Sequence, residues 1–135
     1  MKFHGFEEVE HTADLAIRVW AADFYALLIH AALGMYDLMG AQYNPNIPIL
    51  QTFELTNASQ AEVLVDFLNE LLFLVEESNQ IFDQFQFVDE DARLKIEVTG
   101  YKLSSINRHI KAVTFHNLEI SEGSKGLETT ITFDV

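Results

Sequence analysis

Ser59-Gln60-Ala61-Glu62-Val63-Leu64-Val65-Asp66-Phe67-Leu68-Asn69-Glu70-Leu71-Leu72-Phe73-Leu74-Val75-Glu76-Glu77-Ser78-Asn79 is the stretch that decides the fold. Ser59 and Glu62 form a capping box ahead of an apolar run, the arrangement in which each side chain satisfies an orphan amide of the first turn. Val63, Leu64, Phe67, Leu68, Leu71, Leu72 and Val75 then recur at intervals of three and four, which makes one buried stripe. After Asn79 the period changes to two. One side of the chain's organisation is therefore helical and the other is sheet.

Working towards the N-terminus, a first helix is expected from a cap at Asp23 to about Met39, stopped by Gly40. Its apolar face is Phe24, Leu27, Leu28, Ala31, Ala32, Met35 and Leu38. Residues 6–10 and 15–21 read as strands, with Leu15, Ile17 and Val19 sharing one face of the second. Asn44-Pro45-Asn46-Ile47-Pro48 reads as a turn, followed by a strand near 49–56. Working towards the C-terminus, strands are expected near 82–89, 93–101, 111–121 and 127–135. Asp89-Glu90-Asp91 and Gly123-Ser124-Lys125-Gly126 read as hairpin turns. The order is ββ-α-β-α-ββββ. This implies an α+β fold in which two helices pack on one face of a mostly antiparallel β-sheet, in a single domain over residues 1–135.

Composition narrows the function. A hydrophobic fraction of 49% with 11 phenylalanines argues for a packed core. There is no cysteine, so disulfides, thiolate catalysis and thiolate zinc sites are excluded, and a reducing cytoplasm suits the chain. The N-terminus does not read as a signal peptide, and no apolar run is long enough to span a membrane. The net charge is −13, from 8 basic and 21 acidic residues. From Val19 to Ala92 there is no lysine or arginine, whereas twelve acidic residues fall there. Direct, stable binding of RNA or DNA needs clustered cations to displace counterions, and that footprint is missing. A basic protein partner is the electrostatic match; solubility alone is the plainer explanation.

Four places could carry chemistry. His11-Thr12-Ala13-Asp14 sits at a strand junction and reads either as a cation or phosphate site or as a turn whose side chains bond nearby amides. The run Ile131-Thr132-Phe133-Asp134-Val135 alternates to its last residue, so Asp134 and the Val135 carboxylate are expected to be held in place. With Asp14 these give oxygen donors only, which favour Ca2+ or Mg2+ over zinc or copper; an exposed, solvated end is the alternative. Lys111-Ala112-Val113-Thr114-Phe115-His116 reads as a strand, with His116 an acid–base group, a ligand or a surface histidine. Asp66 and Glu70 share a helix face, as an acid–base pair or as part of a solvated polar side. No phosphate loop, dinucleotide fingerprint, nucleophile elbow or HExxH motif is present.

Together, His11-Thr12-Ala13-Asp14, Leu64-Val65-Asp66-Phe67-Leu68-Asn69-Glu70-Leu71-Leu72, Lys111-Ala112-Val113-Thr114-Phe115-His116 and the terminal Phe133-Asp134-Val135 resemble the archease family, in family order and across nearly the whole chain. The resemblance implies a small α+β protein that is not itself a catalyst. It implies a protein cofactor of the RtcB-type, GTP-dependent RNA-splicing ligase, promoting the ligase's guanylylation and multiple turnover in tRNA splicing or RNA repair. It implies a divalent-metal site, with calcium the expected ion and magnesium a second fit. The ligands would be Asp14, Asp134 and backbone or terminal oxygens of Val135, with His11, Lys111 and His116 lining the site or meeting the partner. Two readings from other classes compete with it: a stand-alone metal-dependent phosphoester hydrolase with His11 as base, and a chaperone-like interaction module. The oligomeric state is left open.

Overall fold

The computed structural model describes residues 5–9, 15–115 and 117–135. Its elements are β1 (Phe6–Val9), β2 (Leu15–Ala21), α1 (Phe24–Met39), β3 (Gln42–Thr56), α2 (Gln60–Ser78), β4 (Gln80–Glu90), β5 (Arg93–Ser105), β6 (Ala112–Val113), β7 (Ser121–Gly123) and β8 (Gly126–Asp134). The α+β class holds, and so does the expected order through α2, after which five strands follow where four were expected.

Both helices begin and end where their capping residues dictate. The Asp23 side chain accepts the Ala26 amide at 2.9 Å, and Gly40 closes α1 in the left-handed conformation. At α2 the Ser59 hydroxyl accepts the Glu62 amide and donates to the Glu62 carboxylate, and Asn79 supplies the left-handed cap. The stripes expected to be buried are buried: Leu27, Leu28, Ala31, Ala32 and Met35 on α1, and Val63, Leu64, Phe67, Leu68 and Leu71 on α2.

The strands divide between two antiparallel sheets rather than forming the single sheet expected. One sheet runs β1-β2-β8-β6, with β7 paired to β8 beyond β6's reach along the strand; the other runs β3-β5-β4. Both helices pack against both sheets, and one apolar core draws on all of them, with Phe67, Phe82, Phe133 and Ile17 among its fully buried side chains. Pairing partners far apart in sequence decide this division, and local pattern does not carry that information.

Two further expectations are corrected. Asn44-Pro45-Asn46-Ile47-Pro48 is not a turn between elements but part of β3, where the register with β5 shifts between Asn44 and Pro48. Proline cannot donate to a ladder, yet β3 is an edge strand, and an edge with an irregularity tolerates it. The segment expected as one strand over 111–121 instead contains two short strands, β6 and β7, and between them Asn117 has φ 60°. The two hairpins are present: Glu90 pairs with Arg93 and Gly123 with Gly126.

Candidate functional site

The site is built around the end of β8. This strand lies between β2 and β6, so its last residues are hydrogen-bonded on both flanks. On one side Leu15 pairs with Phe133 and Ala16 with Thr132. On the other, Ala112 pairs with Asp134 and Val113 with Phe133. The Lys111 amide donates to the Asp134 carbonyl at 2.8 Å, and the Thr114 amide donates to the Thr132 carbonyl at 3.2 Å. A segment paired on two sides is held in place.

Alternation along the strand sorts the side chains. Phe133 is fully buried, Asp134 is exposed, and Val135 is 51% exposed. The phenylalanine anchors the segment in the core while the Asp134 carboxylate faces solvent. Lys111, beside Asp134 through the backbone bond, is exposed as well. Three of the expected site residues, Lys111, Asp134 and Val135, are thus brought together. His11, Asp14 and His116 lie outside the described residues; Leu15, the residue that follows Asp14, is the described residue paired with Phe133. Among the described residues no three His, Asp or Glu side chains cluster closely enough to hold a metal ion.

One residue of the site was not singled out from the sequence. Asn69 of α2 accepts the Val113 amide at 2.9 Å and donates to the Val113 carbonyl at 3.5 Å. It fastens β6, and through β6 the end of β8, to the helix. Its signal in the sequence was an amide placed between apolar positions on the wheel, which reads equally as a solvated polar side. The neighbouring carboxylates do not form an enclosed acid–base pair: Asp66 is exposed and Glu70 half-buried.

Among the described residues, the donors at the β8 end are oxygens, from the Asp134 carboxylate and from Val135. That set fits a hard cation such as Ca2+ or Mg2+ and does not fit a soft one.

The sequence model of the Archease protein family (MTH1598/TM1083) matches residues 6–135. Protein archease of Methanopyrus kandleri is 32% identical over 132 residues, covering 85% of this chain and 88% of that protein. Protein archease of Methanothermobacter thermautotrophicus is 25% identical, covering 97% of this chain and 99% of that protein. The crystal structure of a Thermotoga maritima protein, described as an archease and possible chaperone, shares the fold, with a TM-score of 0.71, 22% identity and 96% of each chain covered.

Proposed function

Because the chain belongs to the archease family, we propose that it is a non-catalytic activator of a GTP-dependent RNA-splicing ligase of the RtcB type, acting in the cytoplasm to promote ligase guanylylation and multiple turnover. The observation that carries this reading is that described residues of three family-like blocks, with the residue that follows the fourth, meet at one place. Asn69 of the helical block bonds Val113 of the third block, Val113 pairs with Phe133 of the terminal block, and Phe133 pairs with Leu15, which follows the first block. Residues scattered over the length of the sequence thus support one short edge of the molecule, as a shared site requires.

In this reading Asp14, Asp134 and oxygens of Val135 hold a divalent cation, calcium or magnesium. Bound there, the ion would neutralise clustered carboxylates that otherwise repel. Lys111 and Val113 fix the backbone from which Asp134 projects, so the chain's own contribution is a pre-positioned donor. The net charge of −13 and the cation-free stretch from Val19 to Ala92 favour a basic protein partner, because complementary potentials speed encounter.

The experiment combines this protein with a cognate ligase, GTP, Mn2+ and RNA ending in a 2′,3′-cyclic phosphate. Stimulated multiple turnover is expected, and Asp14→Ala should abolish it without moving the melting transition. Absence of stimulation over a wide range of ratios overturns the proposal. The description of the Thermotoga maritima relative favours a second reading, a chaperone-like module. Protection of several unrelated clients, equal in the wild type and in Asp14→Ala, would select it.

A further inference from the structure

A cavity of about 220 Å³ opens between the C-terminal end of α1, β3, β4 and β5. Tyr36 and Asp37 of α1, Ala41, Tyr43 of β3, Asp83 of β4 and Tyr101 of β5 line it. The Tyr43 and Tyr101 rings are stacked, their centroids 5.0 Å apart and their planes 13° from parallel, and Tyr43 is 46% exposed. Asp37 and Asp83 are exposed, and neither has an ion-pair partner among the described residues. At the cavity wall Tyr36 is 7% exposed and its hydroxyl, beside the Phe82 backbone, makes no hydrogen bond of acceptable geometry.

The electrostatics of this cavity are one-sided. Asp37 stands in the last turn of α1, where the helix dipole is already negative and a cation would be favoured, yet no basic residue occupies that turn. Every lining residue except Tyr101 comes from the stretch between Val19 and Ala92 that contains no lysine or arginine. Two carboxylates, a helix C-terminus and two aromatic rings therefore meet in a lining that holds no cation among the described residues; Arg108, whose amide bonds the Met39 carbonyl, and Lys102, next to Tyr101, stand outside that lining. An ammonium would answer the charge, but a guanidinium answers the shape too: it is planar, stacks on tyrosine and pairs with carboxylates through a fork of N–H donors.

We infer that this cavity receives an arginine side chain of the partner protein, held against the tyrosine pair and ion-paired with Asp37 and Asp83. The cavity's lining shares no residue with the β8 end, so the partner would meet two sets of residues. The inference rests on the reading that this chain works by docking a basic protein, but the cavity can be tested without the ligase.

N-acetyl-arginine-N-methylamide is titrated into the full chain while amide chemical shifts are recorded, with the norleucine analogue as control. Saturable shifts are expected at Ala41, Tyr43, Asp83 and Tyr101 for the arginine probe only. They should weaken about tenfold in the isosteric Asp37→Asn/Asp83→Asn variant, roughly the loss of 1.4 kcal/mol. Shifts that never saturate there, or that persist unchanged in the variant, overturn the inference. A second arm measures affinity for a cognate ligase. Weaker binding by the variant, with wild-type cation binding at the β8 end, supports the inference; equal binding by the two proteins overturns it. Arginine binding by a chain that no ligase recognises would uphold the cavity and remove the ligase.

Discussion

Asn69 and Val113, 44 residues apart in the chain, share two hydrogen bonds: the Asn69 side-chain oxygen accepts the Val113 amide at 2.9 Å and its NH2 donates to the Val113 carbonyl at 3.5 Å. This pair joins α2 to the short strand that flanks the end of β8. Removing one partner of a bond to a buried residue exposes the full cost of desolvating the other.

Asn69→Ala should therefore lower the unfolding free energy by about 1–3 kcal/mol, with Asn69→Asp between the variant and the wild type because it keeps the acceptor. Urea denaturation measures the difference. Ligase stimulation should fall in the same order, since the β8 end loses its tether.

Gly100 is buried in β5 opposite Phe82, beside the register shift of β4 between Phe82 and Gln84. A Cβ at this position would fall on the Ile81 carbonyl oxygen and close to the Phe82 backbone, 2.5 Å from its Cα. Backbone on a paired strand cannot step aside as a side-chain tip can. Gly100→Ala should destabilise the protein by roughly 2 kcal/mol or more, at the heavy end of single substitutions, as a shift in the thermal or urea midpoint will report.

Tyr36 carries a buried hydroxyl without a hydrogen bond, and burial, with the Asp83 carboxylate nearby, pushes its pKa well above the usual tyrosine value. The neutral form is thus favoured in the folded state, so the unfolded chain releases this proton first as pH rises. The associated stability is whole below the ordinary value near 10 and is lost progressively above it. Tyr36→Phe should raise stability at neutral pH by on the order of 1 kcal/mol, because an unsatisfied polar group is removed at nearly constant volume. It should also flatten the decline in alkali. Urea titrations at a neutral and at an alkaline pH give both values.

What could be read in the sequence was what local chemistry fixes. Asp23, Gly40, Ser59 with Glu62, and Asn79 bound both helices as their types require, because a cap acts within one turn. The β4–β5 and β7–β8 hairpins were legible for the same reason. The split into two sheets was not, since nothing near β3 says that its partner is β5 rather than β2. Pro45 and Pro48 imitated a turn because an edge strand can use the same residues. Asp134, Val135 and Lys111 were linked in the sequence only through the family resemblance; the structure sets Lys111 beside Asp134 by the bond from its amide to the Asp134 carbonyl. Asn69 was missed as a tether because its partner is a backbone amide 44 residues away, which no side-chain pattern announces.

The proposed cation site is tested most directly by titrating Ca2+ into the full chain in a calorimeter, with Asp14→Ala, Asp134→Ala and a form extended beyond Val135 measured alongside. The account predicts one saturable site in the wild type. Each of the three altered proteins should bind at least tenfold more weakly, since each loses a charged oxygen donor from a small set. Wild-type affinity in Asp14→Ala and Asp134→Ala, or no calcium or magnesium binding by the unaltered chain, would contradict it.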